Sequence, residues 1–174
     1  MKRILLTYTL AFILLPVYGG EGGSSPAEKK SLLIDYVDPF IGTTNFGTTN
    51  PGAICPNGMM SVVPFNVMGS SENKYDKDAR WWSTPYEHTN CFFTGYAHVN
   101  LSGVGCPELG SLLLMPTTGE LNVDYKEYGS KYKDEQASPG YYSNYLTKYN
   151  VKTEVSATPR TSIARFTFPR SEER

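Results

Sequence analysis

Four side chains capable of chemistry lie close together in a glycine-rich stretch at residues 95–119: His98, Ser102, Cys106 and Glu108. A serine nucleophile of the Gly-x-Ser-x-Gly type requires a glycine two residues before the serine. Here that residue is Asn100, so the sequence does not predict a serine hydrolase. Glycines permit close backbone approaches, and we interpret the polar part of the stretch as a shaped binding loop.

The spacing limits other roles for these side chains. His98, Cys106 and Glu108 lack a fourth ligand at a useful distance, so a metal site is not predicted. Hydrolysis of a glycosidic bond requires two carboxylates, and Glu108 is the only carboxylate in this loop. We therefore assign no general acid or base. His98 is interpreted as a hydrogen-bonding group of a site or as a structural histidine, and both alternatives stay open.

The elements that must position these residues are predicted to be strands. The apolar run at residues 112–115 is bounded by turn residues, which predicts a strand buried on both faces. Residues 33–40 and 60–63 predict further strands. Alternation at residues 145–157 predicts one bent strand or a hairpin that bends near Asn150. The charged segment 126–136 is interpreted as a surface excursion.

Composition agrees with a fold built from short strands. The chain has 13 tyrosines, 8 phenylalanines, 16 glycines and 12 prolines, which favours strands and tight turns over helices. Since no convincing amphipathic helix is found, we predict an all-β fold, an antiparallel β-sandwich. The net charge of −1 gives no electrostatic case for binding nucleic acid or an anionic membrane.

The N-terminal region predicts export. A basic start and a short apolar run within residues 1–20 are typical of a signal peptide, and the run is short for a membrane span. Residues 21–31 are typical of a linker. We predict the β-sandwich domain over residues 32–170, truncated at its C-terminal end, and an exported protein with no membrane span after cleavage.

Three cysteines, Cys55, Cys91 and Cys106, leave at least one thiol unpaired. We expect buried or site-lining thiols, with one disulfide possible.

Aromatic residues could form a ligand-binding site of another kind. Phe46 is an isolated aromatic residue on a polar loop, and Trp82 follows Trp81 between polar segments. Such rings either stack on a ligand or pack at the edge of a core, and the sequence leaves both open.

Seven ordered segments resemble the N-terminal domain of glycoside hydrolase family 92, the α-mannosidases. The resemblance covers residues 36–169. The segments are VDPFIGT (37–43), NPGA (50–53), PNGM (56–59), GYAH (95–98) with LSGVGC (101–106), LMPTTG (114–119), ASPGYY (137–142) and ATPRT (157–161). Family members often show Asp-Tyr-Gly-Asp where this chain has residues 107–111, a departure that leaves the linkage preference open.

This resemblance implies an exported, calcium-dependent, inverting exo-α-mannosidase that acts on N-glycans or mannans. Such enzymes combine a β-sandwich with an (α/α)6 barrel, which supplies the acid, the base and the main calcium ligands. The barrel is missing from this chain, so no catalytic or metal-binding residue is assigned here and inactivity alone is expected. The resemblance implies that the sandwich contributes Phe46, Gly47, Trp82 and His98 to the mannose pocket.

Two other functions stay open: a free-standing carbohydrate-binding module and a structural sandwich without a sugar site. A half-enzyme should expose a broad apolar or aromatic face for its barrel partner, whereas an independent module should bury such faces. The amount of apolar surface that the folded domain exposes therefore helps to distinguish the three functions.

Overall fold

The computed structural model describes residues 32–44, 49–66, 85–100 and 109–170. The predicted signal peptide (1–20) and linker (21–31) lie outside the described residues. So do Phe46, Gly47, Trp81, Trp82, Ser102, Cys106 and Glu108.

In the described ranges, nine strands form two antiparallel sheets. In chain order they are β1 (Ala53–Ile54), β2 (Ser61–Phe65), β3 (Phe92–Phe93), β4 (Gly95–Asn100), β5 (Leu109–Leu114), β6 (Ser130–Ser138), β7 (Tyr141–Leu146), β8 (Val151–Ala157) and β9 (Ser162–Thr167). The sheet orders are β1-β2-β4-β5 and β3-β6-β7-β8-β9. The helices among the described residues are a 3-10 turn, Leu33–Tyr36, and α1, Tyr125–Tyr128. The prediction of an all-β antiparallel sandwich is confirmed.

The core lies between the two sheets and is rich in aromatic residues. Tyr96 of β4 is fully buried, and its ring packs edge-on against Phe93 of β3 and Tyr142 of β7. Its hydroxyl lies 2.5 Å from the Thr153 hydroxyl of β8. Buried tyrosines require partners for their hydroxyl groups, so this core is held by hydrogen bonds as well as by apolar contact.

The strand predicted at residues 33–40 is wrong. This segment is exposed and begins with the 3-10 turn Leu33–Tyr36. The Asp35 carboxylate accepts a hydrogen bond from the Leu32 N–H at 2.9 Å, and Asp38 accepts one from Phe40 N–H at 2.9 Å. Local bonds from Asp side chains offer the backbone an alternative to a strand ladder, which explains the turn.

The apolar run at residues 112–115 does contribute a strand, but the prediction of burial on both faces is wrong. β5 is an edge strand that pairs with β4. The exposed fractions of Leu112, Leu113 and Leu114 are 53%, 41% and 37%. The hydrophobicity of a strand does not show whether the strand lies at the centre or at the edge of its sheet. This is why burial on both faces was predicted wrongly.

The alternation at residues 145–157 belongs to a hairpin rather than to one bent strand. β7 and β8 are joined by residues 147–150, and Asn150 has a positive φ of 53°. Val151, Thr153 and Val155 are buried and face the core, in agreement with the predicted alternation. In β7 the core residues are instead Tyr142, Asn144 and Leu146. They have even numbers and those of β8 have odd numbers, because the turn between the strands interrupts the alternation.

Cys55 is partly buried and Cys91 is exposed, and both are free thiols. Of the two settings expected for the thiols, buried or site-lining, burial is not found for Cys91. Neither thiol forms the possible disulfide in this structure.

The pKa of the Glu154 carboxylate on β8 predicts how the stability of the fold depends on pH. Arg165 donates to Glu154 Oε2 at 2.7 Å, and Tyr141 and Lys152 contact Oε1. The hydrogen bond from Arg165 is the main reason that the pKa of Glu154 falls from 4.5 to about 2. Because the folded-state pKa is lowered, this stabilisation is present above pH 4.5 and is lost as the pH falls towards 2.

We expect the melting temperature of the wild type to fall through this pH range more steeply than that of Glu154→Gln. The difference should be modest, because Arg165 is largely exposed and solvent screens the pair. Thermal unfolding followed by circular dichroism at a series of pH values measures both slopes. Parallel slopes for the two proteins would contradict the assignment.

Candidate functional site

A hydrogen bond and a ring contact connect described residues that precede Phe46 in the sequence with a described residue that follows Trp82. The backbone N–H of His88 donates to the Thr43 carbonyl at 2.9 Å, and the rings of Phe40 and His88 lie 5.1 Å apart. Thr43 comes three residues before Phe46, and His88 comes six residues after Trp82. Described residues on the N-terminal side of Phe46 and on the C-terminal side of Trp82 are therefore in contact with each other.

A buried amide holds the segment around His88 in place. The side-chain nitrogen of Asn66 donates to the carbonyls of Glu87 and Asn90, each at 2.9 Å. Its oxygen accepts from Glu87 N–H at 2.8 Å, and Tyr132 donates its hydroxyl to the Asn90 carbonyl at 2.8 Å. Residues 87–90 consequently sit on a rigid support rather than on a free loop.

A β-bulge places a carboxylate beneath this segment. The β6–β7 register contains one extra residue on β6 between Lys133 and Gln136, and Asp134 has a positive φ of 53°. Before the bulge, Ser130 and Tyr132 point inward, and after it Glu135 and Ala137 do. The bulge changes the inward phase and turns Glu135 towards the interior, as bulges near functional sites often do.

Glu135 is surrounded by hydrogen-bond donors. Its Oε1 accepts from the Tyr86 hydroxyl at 2.9 Å and from the Tyr142 hydroxyl at 2.5 Å. Its Oε2 lies 4.0 Å from His88 Nδ1. Burial raises the pKa of Glu135, and the tyrosine bonds and His88 offset part of that rise. Burial also raises the pKa of Tyr86 and Tyr142, so both stay protonated donors.

Two buried amide donors on the same segments have no partner. Among the described residues, Asn50 Nδ2 and Asn90 Nδ2 are buried without a hydrogen bond, and Asn100 Nδ2 shares this state. A buried unpaired donor costs about 1–3 kcal/mol. An oxygen-rich ligand or an ordered water would satisfy such groups.

His98 is the one predicted site residue within the described part of the chain. It is 8% exposed, and its register partners are Val62 on β2 and Leu112 on β5. Its Nδ1 lies 3.2 Å from the Leu112 carbonyl, which can only accept, so Nδ1 carries the proton. His98 thus ties β4 to the edge strand. Its hydrogen-bond partner differs from those of Glu135, which are Tyr86 and Tyr142.

No sequence pattern marks Glu135, Tyr86 or His88 as residues of a site. The interpretation of residues 126–136 as a surface excursion is wrong, because β6 occupies most of them. Strict alternation from Tyr132 would have placed Asp134 inward instead. Only the bulge reverses this, and the sequence carries no glycine there to indicate it.

Among the described residues, no group of three or more histidine, cysteine, aspartate or glutamate side chains is placed to hold a metal ion. The same ranges contain no helix with the length and apolar character needed to cross a bilayer.

Residues 36–174 match the glycosyl hydrolase family 92 N-terminal domain. Together with the sandwich fold, this shows that the chain belongs to glycoside hydrolase family 92 and represents its N-terminal domain.

Solved structures agree with the family assignment. A family GH92 α-mannosidase from Bacteroides thetaiotaomicron is 33% identical with a TM-score of 0.69, and the match covers 79% of this chain and 19% of that one. A family GH92 inverting mannosidase from the same organism is 25% identical with a TM-score of 0.58, over 78% of this chain and 18% of that one.

A curated relative is also similar. An uncharacterized secreted glycosidase from Arthroderma benhamiae is 29% identical over 155 residues, covering 82% of this chain and 18% of the relative. This chain therefore spans less than a fifth of the length of each of these three relatives.

Proposed function

We propose that this chain forms the sandwich half of the substrate pocket in a calcium-dependent, inverting exo-α-mannosidase that acts on N-glycans or mannans. The observation that carries the proposal is the hydrogen bond between His88 N–H and the Thr43 carbonyl, two residues that lie near Trp82 and Phe46 in the sequence. Two structurally similar relatives are α- or inverting mannosidases, which supports this substrate class.

In this proposal Phe46, Gly47, Trp82 and His98 contribute to the enclosure of one terminal mannose. An exo-acting pocket must surround a single sugar, and aromatic rings with fixed hydrogen-bonding groups do so best on rigid elements. The acid, the base and the calcium ligands would come from an (α/α)6 barrel domain. The chain by itself would bind sugar weakly and would not hydrolyse it.

The surface of the domain favours a partner domain over an independent carbohydrate-binding module. Residues Leu112–Leu114 expose leucine side chains on both faces of an edge strand. Further exposed apolar side chains are Leu32, Leu33, Ile34, Tyr36, Val37, Ile41, Met59, Leu121, Val123, Ile163 and Phe168. The three leucines of β5 are adjacent along one edge strand. Contiguous exposed apolar surface is typical of an interaction site, and we propose that the barrel covers this edge.

We also propose export to the periplasm or the medium. The N-terminal signal-peptide pattern supports this, as does the description of one relative as secreted.

The test of the proposal is the release of mannose from an α-mannoside, with calcium and with EDTA. We expect no release by this chain alone. We expect calcium-dependent release, abolished by EDTA, when the chain is joined to the barrel domain of a family member. Mass spectrometry or a coupled assay for free mannose measures both arms.

Mannose release by this chain alone would contradict the proposal, because the catalytic groups would then lie within it. Sugar binding on a glycan array without activity in the joined protein would instead support the free-standing module. A joined protein that binds no mannose-containing glycan would favour a structural sandwich.

A further inference from the structure

The side chain of His88 contacts buried residues on one side and is exposed to solvent on the other. Its side chain is 46% exposed, whereas that of Glu135 is 15% exposed. The ring lies 5.1 Å from Phe40 on one side, and its Nδ1 lies 3.0 Å from the Tyr86 hydroxyl. An exposed imidazole with a buried hydrogen-bonded support is the arrangement of a ligand-contacting histidine.

The hydrogen bonds determine which ring nitrogen carries the proton. When Glu135 is ionised its Oε1 can only accept, so Tyr86 donates its one hydroxyl hydrogen to Glu135 Oε1. At the 3.0 Å contact with His88, the Tyr86 oxygen must therefore accept, so His88 Nδ1 is the donor. In the neutral ring this leaves Nε2 with a lone pair that can accept a hydrogen bond from a ligand.

The fold maintains this arrangement at a cost. Glu135 is buried as a carboxyl group whose pKa is raised above its ordinary value, so its ionised form weakens the fold as the pH rises through that pKa. The bulge that places it there requires Asp134 at a positive φ. Costly arrangements that orient an exposed side chain are characteristic of functional sites.

We propose that His88 contacts a sugar hydroxyl through Nε2, and that Tyr86 and Glu135 are positioning residues that hold its ring in the Nδ1–H tautomer. This inference rests on the proposed function and adds a contact to the same pocket. The ligand class is a neutral, hydroxyl-rich sugar, since the nearby Glu135 carboxylate would repel an anion.

The experiment uses the 15N-labelled chain, which has only two histidines. Long-range 1H–15N correlation spectra report the tautomer of each ring. They are recorded before and after addition of methyl α-D-mannopyranoside, and His88→Ala assigns the His88 signals. His98, whose Nδ1 bonds to the Leu112 carbonyl, reports in every variant whether the sandwich is intact.

The matched variants are Tyr86→Phe and Tyr142→Phe. Each removes one hydroxyl that donates to Glu135 Oε1, but only Tyr86 also contacts His88. We expect the Nδ1–H tautomer in the wild type and in Tyr142→Phe, and a mixture of tautomers in Tyr86→Phe. The sugar should shift the Nε2 signal of His88, and Tyr86→Phe should weaken that response about tenfold.

An Nε2–H tautomer in the wild type, or equal behaviour of the two tyrosine variants, would overturn the positioning role. Sugar-induced shifts at other residues without a shift at His88 would overturn the contact and leave the proposed function standing. The absence of any sugar-induced shift would count against the contact and the proposed function together. Because His88 is exposed, His88→Ala should fold and should lower the sugar affinity even if Tyr86→Phe does not fold.

Discussion

Replacement of Phe93 by alanine is expected to lower the free energy of unfolding by about 3–5 kcal/mol, the range measured for deletion of a buried aromatic ring. Phe93 is fully buried, and its ring centroid lies 4.9 Å from that of Tyr96 and 6.1 Å from that of Tyr132. Since domains are stable by roughly 5–15 kcal/mol, this loss would remove a large part of the total.

Equilibrium unfolding in urea measures the effect through the midpoint and the slope. The control is Phe168→Ala, since Phe168 is 46% exposed and its loss should change the stability by about 0.5 kcal/mol or less. Similar midpoints for the two variants would show that the two sheets do not close around Phe93 in solution.

Replacement of Trp82 by alanine is expected to raise KM and lower kcat/KM together, in an enzyme that joins this domain to a barrel. A ring that stacks on the substrate and excludes water contributes about 2 kcal/mol, which corresponds to a loss of roughly thirtyfold in kcat/KM. Steady-state kinetics on an aryl α-mannoside measure both constants.

The matched control is Trp81→Ala, because the two tryptophans are adjacent and the resemblance to the family favours Trp82 for the pocket. We expect Trp81→Ala to leave kcat/KM within about a factor of two, as for a side chain outside the site. Unchanged kinetics in Trp82→Ala would remove it from the pocket, and a loss confined to Trp81→Ala would exchange the two assignments.

The family resemblance and the fold class were accessible from the sequence because both rest on local signals. Turn residues at the segment ends and alternation in β8 are properties of short windows, and the structure confirms them at Val151, Thr153 and Val155. The interpretation of the polar part of the 95–119 stretch as a binding loop is wrong for residues 95–100, which form strand β4 with His98 on it.

The two wrong strand predictions have different causes. The exposure of Leu112–Leu114 depends on whether another strand lies beyond β5, which a short window of sequence cannot show. The turn at Leu33–Tyr36 instead comes from local hydrogen bonds to Asp35 and Asp38, which compete with the strand that the apolar residues predict.

By itself, the sequence determined the antiparallel sandwich, the membership of a mannosidase family and the residues worth testing in the pocket. Only the tertiary structure joined His88 to Thr43 and turned Glu135 inward beneath Tyr86. The physical reason is that a single inserted residue reverses which side chains of a strand point inward. In addition, a contact between residues 49 positions apart, such as that of Tyr86 with Glu135, forms only when the two sheets pack together.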